Sequence, residues 1–259
     1  MYNGGWIELS TLGKSTVDRY IRLTEDFPFF LGYVYIPLCR QVGNRNNYSQ
    51  EMIGVLTYNF QKAMRVLYRK DRTLGQLIEQ AGPITIAFPK RLNPFGALLR
   101  SIIYQQLSGK AAATIHKRVR ALFAGGRINP DRVLAIDDQM LRSAGMSRAK
   151  IVAVNDLAQK TMDGLIPSGS RLREMSDDDI VENLTQVRGI GEWTVQMLLM
   201  FHLGRPDVLP TKDLGVRKGF MLTYGLDQLP AEKDMMVYCE RWRPYRSVGS
   251  WYMWRALEL

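Results

Sequence analysis

Apolar residues recur at helical spacing from about residue 71 to the end of the sequence. Two stripes with the i, i+3, i+4 pattern lie on either side of residues 105–109. Their members are Phe95, Leu98, Leu99, Ile102 and Ile103 in the first stripe and Ala112, Ile115, Val119 and Leu122 in the second. A third stripe, closed by the helix breakers Gly164 and Pro167, consists of Ile151, Val154, Ala158 and Met162. We therefore predict that residues 71–259 are almost entirely helical.

Residues 1 to about 70 lack this regularity. Aromatic residues, Gly and Pro are scattered through them, and residues 33–36 are compatible with a strand but without the repeated alternation of a full sheet. The pattern divides the chain into an N-terminal extension of undetermined structure, residues 1–70, and a helical domain, residues 71–259. Met64 offers an alternative start, and our hypothesis is that part of residues 1–63 is dispensable or is not made in the cell.

Composition and charge narrow the class of protein. The chain has 259 residues, 46% apolar and 23% charged, which is ordinary for a folded globular protein. A net charge of +10 favours a polyanionic partner, with nucleic acid first and an anionic membrane surface second. Two cysteines, Cys39 and Cys239, are too few for a disulfide framework, a four-cysteine zinc site or an iron–sulfur cluster. We see no apolar run long enough to span a bilayer and no secretory signal.

A glycine-containing turn joins two predicted helices. Residues 187–194 read Val-Arg-Gly-Ile-Gly-Glu-Trp-Thr; the helix before them begins at Ser176, which with Asp179 resembles a capping box. Gly189 and Gly191 allow positive φ and lack Cβ atoms, so backbone N–H groups can approach an anion at the start of the second helix. A phosphate is the natural occupant, and such a contact does not read sequence. The alternative is a tight turn between core helices, which an isolated Gly-x-Gly more often is.

Asp213 stands at the start of a further predicted helix. It follows the turn signal Leu-Pro at 209–210, and the helix dipole favours a negative charge at this position. A lone Asp in this setting is most often only an N-cap. The residues alone therefore leave its role open.

Four segments, in order, resemble the helix-hairpin-helix DNA glycosylases, specifically the branch of 3-methyladenine DNA glycosylase II. They are Asn-Pro-Phe-Gly through Gln-Gln-Leu-Ser at 93–108, Gly-Ile-Gly-x-Trp-Thr at 189–194, Leu-Pro-x-x-Asp-Leu-Gly-Val-Arg at 209–217, and the Trp- and Arg-rich stretch at 242–255. The resemblance covers residues 72–259. It implies a mainly α fold of two helical subdomains, with the active site in the cleft between them.

The resemblance also implies a chemistry. Asp213 matches the essential carboxylate of the family, which stabilises the oxocarbenium-like transition state when an N-glycosidic bond is hydrolysed. A base alkylated at a ring nitrogen is already a good leaving group, so neither His116 nor His202 is required, and we expect both to be structural. Aromatic faces would hold the electron-poor base. The matched pocket positions are Trp193, Trp254 and, less clearly, Tyr104.

The damaged nucleotide must leave the duplex, and a side chain must fill the gap. The matched wedge or lesion-probing loop consists of Gln105, Gln106, Leu107 and Ser108, with Gln106 or Leu107 as the inserted residue. The alternative for Leu107 is that it merely ends an apolar stripe. Phosphate contacts are expected from the hairpin and the basic residues near the site: Val187, Gly189, Ile190, Gly191, Thr194, Lys212, Arg217 and Arg246. Further cations, Arg241, Arg243 and Arg255, crowd the last helices.

The expected partner is double-stranded DNA that contains damaged bases, and we expect a monomer without a membrane partner. No cofactor and no catalytic metal are required, although a monovalent cation held by hairpin carbonyls is common in the family. The compartment would be the bacterial cytoplasm, with the nucleoid, or a eukaryotic nucleus.

Three functions stay open at this point. A monofunctional glycosylase for alkylated purines, of the 3-methyladenine and 7-methylguanine type, is preferred, with deaminated bases or ethenobases as the second class of substrate. A glycosylase with lyase activity is disfavoured, because relatives that cut the backbone carry a lysine where this chain has Trp193; Lys212 is the substitute nucleophile to consider. The third function is that of a non-catalytic DNA-binding module.

Overall fold

The computed structural model describes residues 58–259 except Thr85, Ala87 and Lys90. All regular elements in this part of the chain are helical, so the prediction of a mainly α fold is confirmed. Expectations for residues 1–57 lie outside the described residues.

The α-helices are α1 (Phe60–Lys70), α2 (Arg72–Ala81), α3 (Pro94–Tyr104), α4 (Gly109–Ala121), α5 (Pro130–Ala135), α6 (Asp138–Ser143), α7 (Arg148–Met162), α8 (Gly169–Glu174), α9 (Asp177–Leu184), α10 (Glu192–Leu198), α11 (Leu214–Tyr224), α12 (Glu232–Cys239) and α13 (Arg246–Ala256). Short turns of 3₁₀-helix lie at Ala124–Gly126 and Glu240–Trp242, and a π-helical turn, Leu199–Leu203, follows α10.

Short polar side chains fix where many of these helices begin. The predicted capping residue Ser176 accepts a hydrogen bond from the backbone N–H of Asp179 at 3.1 Å, which satisfies one free donor of the first turn of α9. Side chains that cap a helix in the same way belong to Asn59, Asp71, Asn93, Ser108, Ser147, Ser168 and Asp213. The starts of these helices therefore follow directly from the sequence.

The predicted apolar stripes form the core. All five residues of the first stripe are buried, from Phe95 to Ile103, because α3 is surrounded by other helices. Met162 differs from the prediction: it ends α7 and is 57% exposed. Met162 is the last residue of α7, with Asp163 as the C-cap, so the stripe ends at the exposed end of the helix.

The helices pack as two groups. The middle group contains α3 to α10, residues 94–198, and its centre is α7 packed against α3 and α5. The terminal group joins the two ends of the described chain: α1 and α2 pack against α11 and α13. These groups are the two helical subdomains that the resemblance implies.

A buried carboxylate ties the terminal group together. Asp71, 4% exposed, caps α2 and accepts hydrogen bonds from the Tyr224 hydroxyl at 2.7 Å and from the Trp242 indole at 2.9 Å. Because Asp71 lies between α1 and α2, it joins these helices to the end of α11 and to the turn before α13.

Helix α1 belongs to this core, although the sequence pattern set the domain boundary after residue 70. Ala63 and Leu67 are fully buried, and the Tyr252 hydroxyl donates to the Met64 sulfur at 3.0 Å. The packed part thus begins ahead of the predicted boundary. A chain that began at Met64 would lack the Asn59 cap and the first turn of α1.

Candidate active site

Asp213 is the N-cap of α11 and faces the junction of the two groups. One carboxylate oxygen, Oδ1, accepts a hydrogen bond from the backbone N–H of Val216 at 2.8 Å. The backbone N–H of Asp213 itself donates to the carbonyl of Pro210 at 3.0 Å, which closes the turn that leads into the helix. The interpretation of Asp213 as a helix cap is therefore correct, but capping is only part of what its carboxylate does.

Two indoles hold the same carboxylate. Trp193 Nε1 donates to Oδ2 at 2.8 Å, and Trp254 Nε1 donates to Oδ1 at 2.9 Å. Trp193 comes from α10 in the middle group, whereas Trp254 comes from α13 in the terminal group. We call these three side chains the Asp213 cluster. The two indole N–H groups and the backbone N–H of Val216 together fix the carboxylate in one orientation, where the two helical groups meet.

Two glycines on α11 make this arrangement possible. A Cβ on Gly215 would lie 2.8 Å from Trp254 Cδ1 and 3.1 Å from Asp213 Oδ1, and a Cβ on Gly219 would lie 1.8 Å from the Met253 carbonyl oxygen. The two glycines, one helical turn apart, let α13 approach α11 closely enough for the indole to reach the carboxylate. Sequence reasoning missed this role; the signal was a glycine pair at i, i+4 directly after Asp213.

The hairpin, residues 185–191, lies at the start of α10. Gly189 has φ +78°, as its sequence context predicts, but Gly191 has an extended backbone with φ −99° and is the N-cap of α10. Positive φ is therefore needed at only one of the two glycines. The backbone N–H of Ile190 donates to the Val187 carbonyl at 3.0 Å, which makes the turn tight.

An ion pair from α7 supports the hairpin. Asp156 accepts from the backbone N–H of Arg188 at 2.7 Å and from Lys160 at 2.9 Å, and the Lys160 ammonium also donates to the Gln186 carbonyl at 2.5 Å. Partial burial raises the pKa of Asp156, but these hydrogen bonds outweigh it and hold the pKa below its usual range. The hairpin is therefore a rigid element.

The predicted wedge loop touches the hairpin. Gln105 Nε2 donates to the Gly189 carbonyl at 2.8 Å. Gln106 is exposed and has φ +57°, a left-handed conformation that costs energy for a non-glycine residue. Leu107 is half-buried against the core, while Ser108 is exposed and caps α4. Gln106 is thus the more accessible of the two wedge candidates, and the choice between them stays a prediction.

Lys150 supports the start of loop 105–108 through two hydrogen bonds. Its ammonium donates to the carbonyls of Ile103 at 2.7 Å and Gln105 at 2.8 Å, which are orphan acceptors at the end of α3. Desolvation by burial lowers the pKa of Lys150. Sequence reasoning did not single out this residue, because nothing in its local pattern distinguishes it from a surface lysine.

Several predicted phosphate-binding side chains are engaged within the protein. Arg246 forms an ion pair with Asp207 at 2.8 Å, Arg217 donates to the Pro230 carbonyl at 2.9 Å, and Thr194 is 3% exposed. Their phosphate contacts stay predictions, and their present partners are internal ones.

The other cations named in the sequence analysis also have partners within the protein. Lys212 is exposed and forms an ion pair with Glu192 at 2.9 Å; this hydrogen bond raises the pKa of its ammonium. Arg243 pairs with Asp207 and Glu240, and Arg255 pairs with Glu258. Arg241 lies over the ring of Tyr238, 3.8 Å from its centroid.

Tyr104 lies in a different setting from the two indoles. Its ring packs edge-on against His116, with centroids 6.3 Å apart, and the Arg100 guanidinium lies 4.3 Å from the Tyr104 centroid.

Burial and nearby arginines lower the pKa of His116 to about 4, and burial, with Arg100, lowers the pKa of His202 to about 4. Both histidines are neutral at pH 7, in line with the structural roles expected for them.

Residues 58–259, with their three gaps, contain no cluster of three or more His, Cys, Asp or Glu side chains able to hold a metal ion. Within the same residues, no helix has the length and apolar character needed to cross a bilayer.

Comparison with known proteins defines the class. The family model described as HhH-GPD superfamily base excision DNA repair protein matches residues 99–244. The chain belongs to this superfamily, and its relatives lie in the alkylbase branch.

DNA-3-methyladenine glycosylase 1 of Schizosaccharomyces pombe is 34% identical over 171 residues, which are 66% of this chain and 75% of the relative. The putative DNA-3-methyladenine glycosylase YfjP of Bacillus subtilis is 34% identical over 170 residues, which are 63% of this chain and 59% of the relative. Among solved structures, the S. pombe 3-methyladenine DNA glycosylase Mag1 in complex with abasic DNA superposes with a TM-score of 0.68 at 33% identity, covering 74% of this chain and 95% of that one.

Proposed function

We propose that this protein is a monofunctional DNA-3-methyladenine glycosylase that excises alkylated purines, of the 3-methyladenine and 7-methylguanine type, from double-stranded DNA. The observation that carries the proposal is a carboxylate, Asp213, held by two indoles where the two helical groups meet. The hairpin of the HhH-GPD superfamily lies beside it, and relatives named DNA-3-methyladenine glycosylases support the substrate class.

Asp213 acts on the sugar. As the N-glycosidic bond lengthens, positive charge develops at C1′, and the fixed carboxylate stabilises it because its orientation requires no rearrangement during the reaction. Water adds its oxygen to C1′ and releases a proton to solvent. The bonding electrons leave with the base, which is cationic in the alkylated nucleotide and departs neutral, so no strong general acid is needed.

Trp193 and Trp254 have two functions in this proposal. Their N–H groups orient Asp213, and their ring faces stack on the electron-poor base by cation–π attraction. Tyr104, which packs with Arg100 and His116, is the weakest member of the predicted base pocket.

The hairpin and the wedge loop bind the duplex. The backbone N–H groups of Gly189 and Gly191 take a phosphate at the start of α10, where the helix dipole adds to the attraction, whereas the Ile190 N–H is already used within the turn. Either Gln106 or Leu107 fills the space left by the extruded nucleotide, at a cost of a few kcal/mol that is smallest for weakened pairs.

A lyase step is not part of the proposal. It would need an uncharged amine as nucleophile, whereas Lys212 donates to Glu192 at 2.9 Å and its pKa is raised.

No cofactor enters the proposed chemistry. The hairpin carbonyls of Gln186 and Gly189 already accept from Lys160 and Gln105, so these two fit a monovalent cation poorly, and we route no step through one.

We place the protein on DNA, in a nucleoid or a nucleus according to its source. The test is incubation of the wild-type protein with methylated duplex DNA, followed by chromatography of the released bases and electrophoresis of the strands. We expect free 3-methyladenine, intact strands and no covalent adduct after borohydride treatment. Binding of abasic DNA without release of any base would favour a non-catalytic module, and release of only hypoxanthine or ethenoadenine would favour the second class of substrate.

A further inference from the structure

One stretch of the sequence carries most of the excess positive charge. Residues 80–130 contain no Asp and no Glu. Their Lys and Arg residues are Lys90, Arg91, Arg100, Lys110, Lys117, Arg118, Arg120 and Arg127. The stretch includes α3, loop 105–108 and α4, so the charge is concentrated on one part of the middle group.

The cations of this stretch that the structure describes have no carboxylate partner among the described residues. None of the ion pairs in the part of the chain that the structure describes uses a Lys or Arg between residues 91 and 127. Lys110, Lys117, Arg118 and Arg120 are exposed on α4. The cations of the last helices differ, since Arg243, Arg246 and Arg255 all pair with carboxylates.

The basic face of α4 borders a groove. The groove has a volume of about 540 Å³, and its lining includes Tyr104, His116, Lys117, Arg120 and the backbone of Gly125 and Gly126. Arg120 Nε donates to the Gly126 carbonyl at 3.4 Å, which leaves the outer guanidinium nitrogens available for a ligand. Because the pKa of His116 is lowered to about 4, the charge of the groove at pH 7 comes from Lys117 and Arg120.

Loop 105–108 connects this face to the hairpin. At its start, Gln105 donates to the Gly189 carbonyl, and at its end Ser108 caps α4. If the loop enters the duplex, one DNA strand passes on each side of it. The hairpin leads into α10, whose Trp193 donates to Asp213, so the hairpin lies on the side of the extruded nucleotide. The basic face of α4, at the other end of the loop, is then on the side of the complementary strand.

We propose that the exposed face of α4, with Lys117, Arg118 and Arg120, is a second phosphate-binding surface that holds the complementary strand of the duplex. This deepens the proposed function, because it rests on entry of loop 105–108 into DNA. The distance along α4 from Gly109 to Arg120 is about 16 Å. That length matches about five nucleotides of one strand at roughly 3.4 Å each.

The test compares two triple variants of the full chain. Lys117→Gln, Arg118→Gln and Arg120→Gln remove the α4 charges. Lys62→Gln, Arg65→Gln and Arg69→Gln remove three exposed charges from α1 and serve as the matched control. Binding to a duplex with one abasic site is measured from low to moderate salt, and hydroxyl-radical footprints are recorded for each strand.

Each phosphate contact contributes about 0.9 to the slope of log K against log salt. The α4 variant should therefore lose about 2 to 3 units of slope, together with protection of the complementary strand only, and the control should keep both. Equal losses in the two variants would overturn the proposal, because net charge alone would then explain the effect. Unchanged footprints in the α4 variant would also overturn it.

The outcome does not depend on catalysis. Binding and footprints on abasic DNA can be measured even if the protein releases no base, so failure of the proposed function would be seen separately in the base-release assay. If the enzyme is active, the α1 control variant should keep its single-turnover rate within about twofold at saturating protein.

Discussion

Replacement of Trp193 by Phe separates orientation of the carboxylate from stacking on the base. Phe keeps an aromatic face but removes the indole N–H. Among the described residues, Asp213 Oδ2 accepts a hydrogen bond only from Trp193, whereas Oδ1 accepts from both Trp254 and Val216. The change therefore leaves one carboxylate oxygen without any donor from the described part of the protein.

A hydrogen bond to a charged group contributes about 1.5–3 kcal/mol. If the whole of that is lost in the transition state, the rate of base release falls roughly 10- to 150-fold. Trp254→Phe should cost less than Trp193→Phe, because Oδ1 keeps the Val216 N–H. The measurement is single-turnover release of 3-methyladenine from duplex DNA at saturating protein, with abasic-DNA affinity as the binding control.

A double-mutant cycle with Asp213→Asn decides the cause. If Trp193 acts through the carboxylate, its replacement should change the residual rate of the Asp213→Asn variant by less than about twofold, since coupled residues are not additive. An undiminished effect in that background would refute the reasoning and would assign Trp193 to base stacking alone.

Three other predictions concern the packing around the site. Gly215→Ala should slow base release at least about tenfold, because its Cβ would lie 2.8 Å from Trp254 Cδ1 and would displace the indole that holds Asp213; an unaltered rate would contradict this. Asp71→Ala should lower the free energy of unfolding by about 3 kcal/mol or more in urea denaturation, because a helix cap is lost and two donors, the buried Trp242 indole and the half-buried Tyr224 hydroxyl, lose their acceptor; a loss below about 1 kcal/mol would be inconsistent with that role. His116 and His202 have folded pKa values of about 4, below the unfolded value of about 6.5, so the unfolded state binds more protons and stability should decrease as pH falls from about 6.5 to 4. Urea denaturation at pH 7 and pH 5 checks this, and a smaller decrease is expected in His116→Gln.

The sequence was most informative where local physical rules decide the structure. Ser176 and Asp213 are predictable as helix starts because a short polar side chain accepts from the first turn. Phe95 to Ile103 are predictable as core because their spacing puts them on one face of α3. The hairpin is predictable from its glycines, although only Gly189 requires positive φ.

The arrangement of the site depends on contacts between distant parts of the chain. Sequence spacing cannot show that Trp193 and Trp254, 61 positions apart by their numbers, donate to the two oxygens of one carboxylate. It also cannot show that Arg246 is occupied by Asp207 whereas the cations of α4 have no acidic partner among residues 58–259 as described. The pairing of a charge depends on which helices pack together, so a basic sequence alone does not locate a phosphate-binding face.

In the proposed function, Asp213 is the catalytic carboxylate of a glycosylase for alkylated purines. The most direct measurement is the single-turnover rate of 3-methyladenine release from methylated duplex DNA by the wild-type protein and by Asp213→Asn, with affinity for abasic DNA measured in parallel. Asn keeps the helix cap and the size of the side chain but removes the negative charge. We expect release by the wild type and at least about a hundredfold slower release by a variant that still binds abasic DNA. Equal release by the two proteins would contradict it.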